Sequence, residues 1–84
     1  MNTIILYPLT TEKSIRLMES ENKLVFIVEL KAKKHEIKEE VERIFKVKVI
    51  NVKTTILPSM KKKAYVQLAP DSPAIDVATQ LGLM

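Results

Sequence analysis

The middle of the chain admits few arrangements. From Lys23 to Leu30, apolar side chains occupy both alternations of a strand, Leu24, Phe26, Val28 and Leu30 on one and Val25 and Ile27 on the other. A strand covered on both faces calls for helices packed above and below its sheet. From His35 to Lys46 the period changes: Ile37, Val41, Ile44 and Phe45 recur at helical spacing, with Glu39 to Arg43 and Glu42 to Lys46 as supporting i,i+4 pairs. Val47 to Leu57 then alternates in β-branched residues. Strand, helix and strand in this order form a βαβ unit, whose right-handed crossover leaves its two strands parallel.

The flanks complete the sheet. Pro58-Ser59-Met60 separates the Val47–Leu57 strand from another over Lys62 to Ala69, a hairpin whose returning strand fits between the two parallel ones. At the other end, Ile4-Ile5-Leu6-Tyr7 is a short apolar run closed by Pro8, which suits an edge strand. Thr10 or Thr11 then caps a helix running to about Glu19, with Glu12 in its first turn and Ile15 and Met18 on one face; Glu21-Asn22 breaks the pattern. A last helix starts at Ser72-Pro73, carries Ile75, Val77, Ala78 and Leu81, and stops at Gly82. The expectation is an α+β fold in the order β-α-β-α-β-β-α. Its four-stranded, mostly antiparallel sheet, with a split βαβ core, lies between helix layers. One domain spans residues 1–84, without internal repeat or linker.

An 84-residue chain that is 46% hydrophobic buries a modest core, so a permanent partner covering part of its surface is plausible. It has no cysteine, which removes disulfides, thiolate metal sites and thiol catalysis together and suits the cytoplasm. Met1 to Pro8 lacks a basic n-region, and its apolar run is too short for a signal peptide or membrane span. No membrane insertion is expected.

Charge is distributed unevenly. The whole chain carries +4, but Lys31 to Lys63 holds eleven basic and four acidic residues, a net +7 that leaves −3 for the rest. A polyanion on one side of the molecule accounts for such asymmetry, and so does an ordinary solvated surface. The basic residues fall into three sets: Lys13 and Arg16 on the first helix, Lys31, Lys33, Lys34 and His35 at a loop, and Lys61, Lys62 and Lys63 at the hairpin, with Lys46, Lys48 and Lys53 as possible extensions. Three adjacent lysines beside a tight turn repel one another unless an anion relieves them.

Catalytic chemistry has little to work with. His35, the single histidine, has no second ligand at metal spacing, and Gly82, the single glycine, cannot form a phosphate-cradling loop. Glu36, Glu39, Glu40 and Glu42 have the spacing of a solvated helix face. No enzyme activity, metal, cofactor or small-molecule substrate is expected. For RNA, stacking of unpaired bases on sheet aromatics, as in an RRM, finds too few rings: Phe26 and Phe45 lie on apolar faces, and only Tyr65 offers itself, with a partly buried role as the alternative. The RRM's last strand is missing as well. Docking onto folded RNA by charge and shape is the remaining mode.

Three stretches in register resemble a known family: Tyr7-Pro8-Leu9-Thr10-Thr11-Glu12-Lys13-Ser14, Glu36-Ile37-Lys38 through Phe45-Lys46-Val47-Lys48-Val49, and Lys62-Lys63-Ala64-Tyr65-Val66-Gln67-Leu68. In order and spacing the chain is similar to the large-subunit ribosomal protein family numbered twenty-three. The resemblance implies a ribosome-bound, cytoplasmic protein without enzymatic activity. Such a protein binds large-subunit rRNA at the polypeptide exit tunnel, beside neighbouring large-subunit proteins, and helps form a docking site for nascent-chain factors. It carries rRNA contact over to Lys13, Arg16, Lys61, Lys62 and Lys63, and factor docking to Glu12, which the helix dipole stabilises independently. The short Leu57-Pro58-Ser59-Met60 link resembles the archaeal and eukaryotic form, which favours the signal recognition particle over trigger factor. Gln67 stands where the family commonly has a basic residue. The competing expectation is a free-standing ferredoxin-like interaction or regulatory module, pairing through a sheet edge.

Overall fold

A computed structural model describes residues 4–81. The seven elements come in the expected order: β1 (Ile5–Pro8), α1 (Glu12–Glu21), β2 (Lys23–Val28), α2 (Lys34–Phe45), β3 (Val49–Ile56), β4 (Lys62–Leu68) and α3 (Ala74–Gln80). The strands form one sheet in the order β1-β2-β4-β3, and every neighbouring pair is antiparallel. β4 therefore lies between β2 and β3, which run in the same direction without touching. That is the split βαβ core.

Element ends depart from expectation by a residue or two, for local reasons. Thr11 caps α1, its side chain accepting from the Ser14 N–H at 3.2 Å. Lys46 leaves α2 in the left-handed conformation (φ 55°), so the chain reorients before β3 begins at Val49. α3 ends at Gln80 with Leu81 as its C-cap, and Gly82, expected just past the helix, lies outside the described residues. Left-handed positions among the described residues are taken by Asn22, Lys46 and Met60, of which Asn bears the conformation most readily.

Asn22 is the junction of the fold. It follows α1 at φ 56°, and its backbone N–H donates to the Leu17 carbonyl. Its side-chain amide donates to the carbonyls of Leu68, Ala69 and Ser72 at 3.3, 3.0 and 3.1 Å. Its Oδ1 accepts from the Ala74 N–H at 2.6 Å. One side chain thus joins the ends of α1 and β4 to the start of α3. This corrects the capping expected of Ser72: the α3 N-cap position is Pro73 without a side-chain bond of its own, and Asn22, distant in sequence, satisfies the first-turn N–H of buried Ala74. The Ser72 hydroxyl instead accepts from the Lys48 N–H.

The buried core draws on one face of the sheet. Leu24, Phe26 and Val28 of β2, Ala64, Val66 and Leu68 of β4, and Val49 and Val52 of β3 join Met18, Ile37, Val41, Ala74, Val77 and Ala78 from the three helices. Phe45 stacks on Phe26 with ring centroids 5.8 Å apart. Ile44 and Ile75, expected to face inward, are 44% and 45% exposed, because each lies at the margin of its helix's apolar stripe. The pairs expected along α2 also differ. Arg43 binds Glu40 through two nitrogens at 2.7 and 3.1 Å, and Glu42 accepts the Val49 N–H at 3.1 Å, tying the helix to β3.

Val25 and Ile27 are buried as expected, at 6% and 2% exposure, but they stand apart from the cluster that contains the helices' core residues. Val25 lines a shallow groove with Lys13, Ser14 and Leu17 of α1 and with Lys63 and Tyr65 of β4. Across from Ile27 stand Tyr7 and Lys63, and across from Val25 stands Tyr65. Cross-strand neighbours lie close enough for such rings and stems to cover an aliphatic residue.

Candidate nucleic-acid interface

Strand register decides which charges share a surface. On the face opposite the helix core, Lys23, Gln67 and Asn51 form one row, Val25, Tyr65 and Lys53 the next, and Ile27, Lys63 and Thr55 a third, with Tyr7 beside Ile27. Lys61, just before β4, reaches the same surface. Its Nζ donates to the Tyr7 hydroxyl at 3.1 Å and lies 5.6 Å from the centre of that ring. Lys63 Nζ lies 5.6 Å from the centre of the Tyr65 ring, within reach of a cation–π attraction.

The Lys61–Lys63 run is therefore divided. Successive residues of a strand point to opposite faces, and Lys62 lies on the helix side, where its Nζ donates to the Ala32 carbonyl at 2.8 Å. Ala32 is buried, so Lys62 secures the loop that leads into α2. Through this bond the loop carrying Lys31, Lys33, Lys34 and His35, all exposed, is held beside the start of β4. Glu36 fixes the start of α2 by accepting the Lys33 N–H at 2.9 Å. Two of the three expected basic sets thus meet at one end of the sheet.

The third set is split in turn. Lys13 is exposed and lines a shallow groove with Leu17, Val25, Lys63 and Tyr65, which joins α1 to the open sheet face. Arg16 instead reaches back to Glu12 at 3.4 Å, and both side chains are almost wholly exposed. Glu12, expected to dock factors, stands on the outer surface of α1. Gln67 does not face the open solvent alone: its Nε2 donates to the Glu21 carbonyl at 2.7 Å and secures the end of α1.

Tyr7 is the residue that sequence reading misses. It stands among apolar neighbours before a proline, and only the β1–β2 register shows that it shares a surface with Tyr65. Among the described residues no cluster of three metal-ligating side chains occurs, and no helix is long and apolar enough to cross a membrane.

A small α+β domain whose lysines gather on one face and one end of its sheet has the build of a ribonucleoprotein component. Residues 3–76 match the family model described as Ribosomal protein L23, and the chain belongs to that family. It is a large-subunit ribosomal protein, of a family that is structural in role. Membership implies ribosomal RNA and other ribosomal proteins as partners, and a ribosome-bound place in the cytoplasm.

Proposed function

We propose that this protein binds large-subunit rRNA at the polypeptide exit tunnel, with Lys13, Lys31, Lys33, Lys34, His35, Lys61, Lys63 and Tyr65 toward the RNA. On this reading α1, with Glu12 outermost, remains accessible to nascent-chain factors such as the signal recognition particle. The observation that carries it is the grouping of basic residues from three separate stretches around one sheet end and the adjoining open face, beside an α1 surface where the one arginine is already paired with Glu12. Phosphate contact needs cations within reach of the RNA backbone, and shape complementarity supplies the rest. The tight β3–β4 connection, closed by a Leu57 N–H bond to the Lys61 carbonyl at 2.7 Å, supports the short-loop form of the family and a role outside the tunnel lining.

The test is binding of the purified protein to a large-subunit rRNA domain, titrated across salt against an unrelated structured RNA. A preference for the rRNA that survives moderate salt is expected. Equal affinity for both RNAs, vanishing together as salt rises, would reduce the surface to a general polyanion binder.

A further inference from the structure

The open sheet face carries more than charge. Its strand residues include Lys23, Lys53 and Lys63 and no carboxylate, and Lys61 adjoins them. Lys23 is engaged by Glu21 at 3.1 Å, whereas Lys61 and Lys63 have only neutral partners, the two tyrosines. An ammonium resting against an aromatic ring is a weak contact, readily exchanged for a phosphate. Once it moves, the ring offers its surface to a flat ligand.

We infer that Tyr7 and Tyr65 each stack an unpaired base of an RNA strand lying across this face, while Lys61 and Lys63 take the flanking phosphates. The inference rests on the RNA-binding reading above and specifies its mode. An acidic protein segment would match the charge of Lys61 and Lys63 but bring no flat ring for each tyrosine, whereas RNA supplies both the negative charge and the π-faces. The spacing sets which bases are taken. Tyr7 and Tyr65 sit on opposite sides of β2, across from Ile27 and Val25; two inter-strand steps and a two-residue offset put them roughly 12 Å apart. That is more than three times the ~3.4 Å rise of stacked nucleotides. The rings therefore receive two splayed bases rather than neighbours in a continuous stack, and a paired helix, whose bases are inaccessible, cannot satisfy both.

The chain's own composition provides the probe. It has two tyrosines and no tryptophan, so tyrosine emission reports on Tyr7 and Tyr65 alone. The full chain is titrated with a short mixed-sequence single-stranded RNA and, separately, with the same sequence as a duplex, with emission corrected for RNA absorbance and affinity measured in parallel by gel shift. Single-stranded RNA is expected to quench the emission. Tyr7→Leu and Tyr65→Leu should each weaken single-strand binding roughly tenfold while leaving duplex binding unchanged, and Tyr7→Phe and Tyr65→Phe should keep the affinity. Circular dichroism identifies any variant that has lost the fold, and the Phe pair, which retains ring and packing, then carries the comparison through its single-strand preference over duplex. If the wild-type chain binds RNA but the Leu variants bind single strands as well as it does, or if quenching is equal with duplex, stacking is refuted and the charge-based reading stands. No affinity for rRNA or for either probe would remove both.

Discussion

Replacing Lys62 should separate folding from RNA binding within a run of three identical residues. Lys62 is half-buried, and its Nζ donates to the Ala32 carbonyl at 2.8 Å. Lys62→Met keeps most of the aliphatic stem and removes that bond, leaving a buried carbonyl without its partner. A hydrogen bond from a charged donor contributes about 1.5–3 kcal/mol; partial solvent access favours the lower end, about 1.5 kcal/mol. In a domain of this size the loss lowers Tm by roughly 6–12 °C. Lys61→Ala and Lys63→Ala remove side chains whose partners are tyrosines on the open face, so each should shift Tm by only a few degrees. Their effect belongs to RNA: each lost phosphate contact flattens the slope of log K against log salt by about 0.7–0.9, and the double variant by about 1.5. Thermal denaturation followed by circular dichroism and salt-dependent rRNA binding measure the two effects on the same preparations. A Lys62→Met protein with unchanged Tm and a flattened salt slope would place Lys62 with its neighbours on the RNA side and refute the division of the run.

Other substitutions test the junction, the core and the outer helix. Asn22→Gly keeps the left-handed backbone and loses the bonds to Leu68, Ala69, Ser72 and Ala74, so urea denaturation should show about 2–4 kcal/mol less stability; Asn22→Ala loses the same bonds without glycine's relief of the left-handed backbone and should be about 1 kcal/mol less stable than the Gly variant. A Gly variant within 0.5 kcal/mol of wild type, on the order of the error for a surface change, would remove Asn22 from its central place. Phe45→Ala ends the stacking on Phe26 and should cost about 2–3 kcal/mol, below a fully buried phenylalanine because Phe45 is half-buried. Glu12→Ala breaks an exposed pair worth at most about 1 kcal/mol. It should leave rRNA binding and Tm alone while weakening factor recruitment to large subunits, and equal loss of both would count against a docking surface on α1.

Element order and strand pairing were legible because their signals are local. The apolar run Leu24–Val28, the helical spacing of Ile37 and Val41, and the turn at Pro58-Ser59-Met60 each define a segment, and crossover handedness then leaves β4 one place to go. Asn22 was not legible as a cap, since its partners lie 46 to 52 residues away and capping rules look only a few positions ahead. The interface was legible in composition but not in direction. Even the split of the lysine run had a trace in the sequence: Lys62 shares its parity with Ala64, Val66 and Leu68, all buried, and Lys61 and Lys63 share theirs with Tyr65. Parity alone leaves undecided which alternation the helices cover, because β2 is apolar on both. The crossover through α2 makes that choice, and with it turns a featureless stretch of charge into one lysine that holds a loop and two that rest on tyrosine rings.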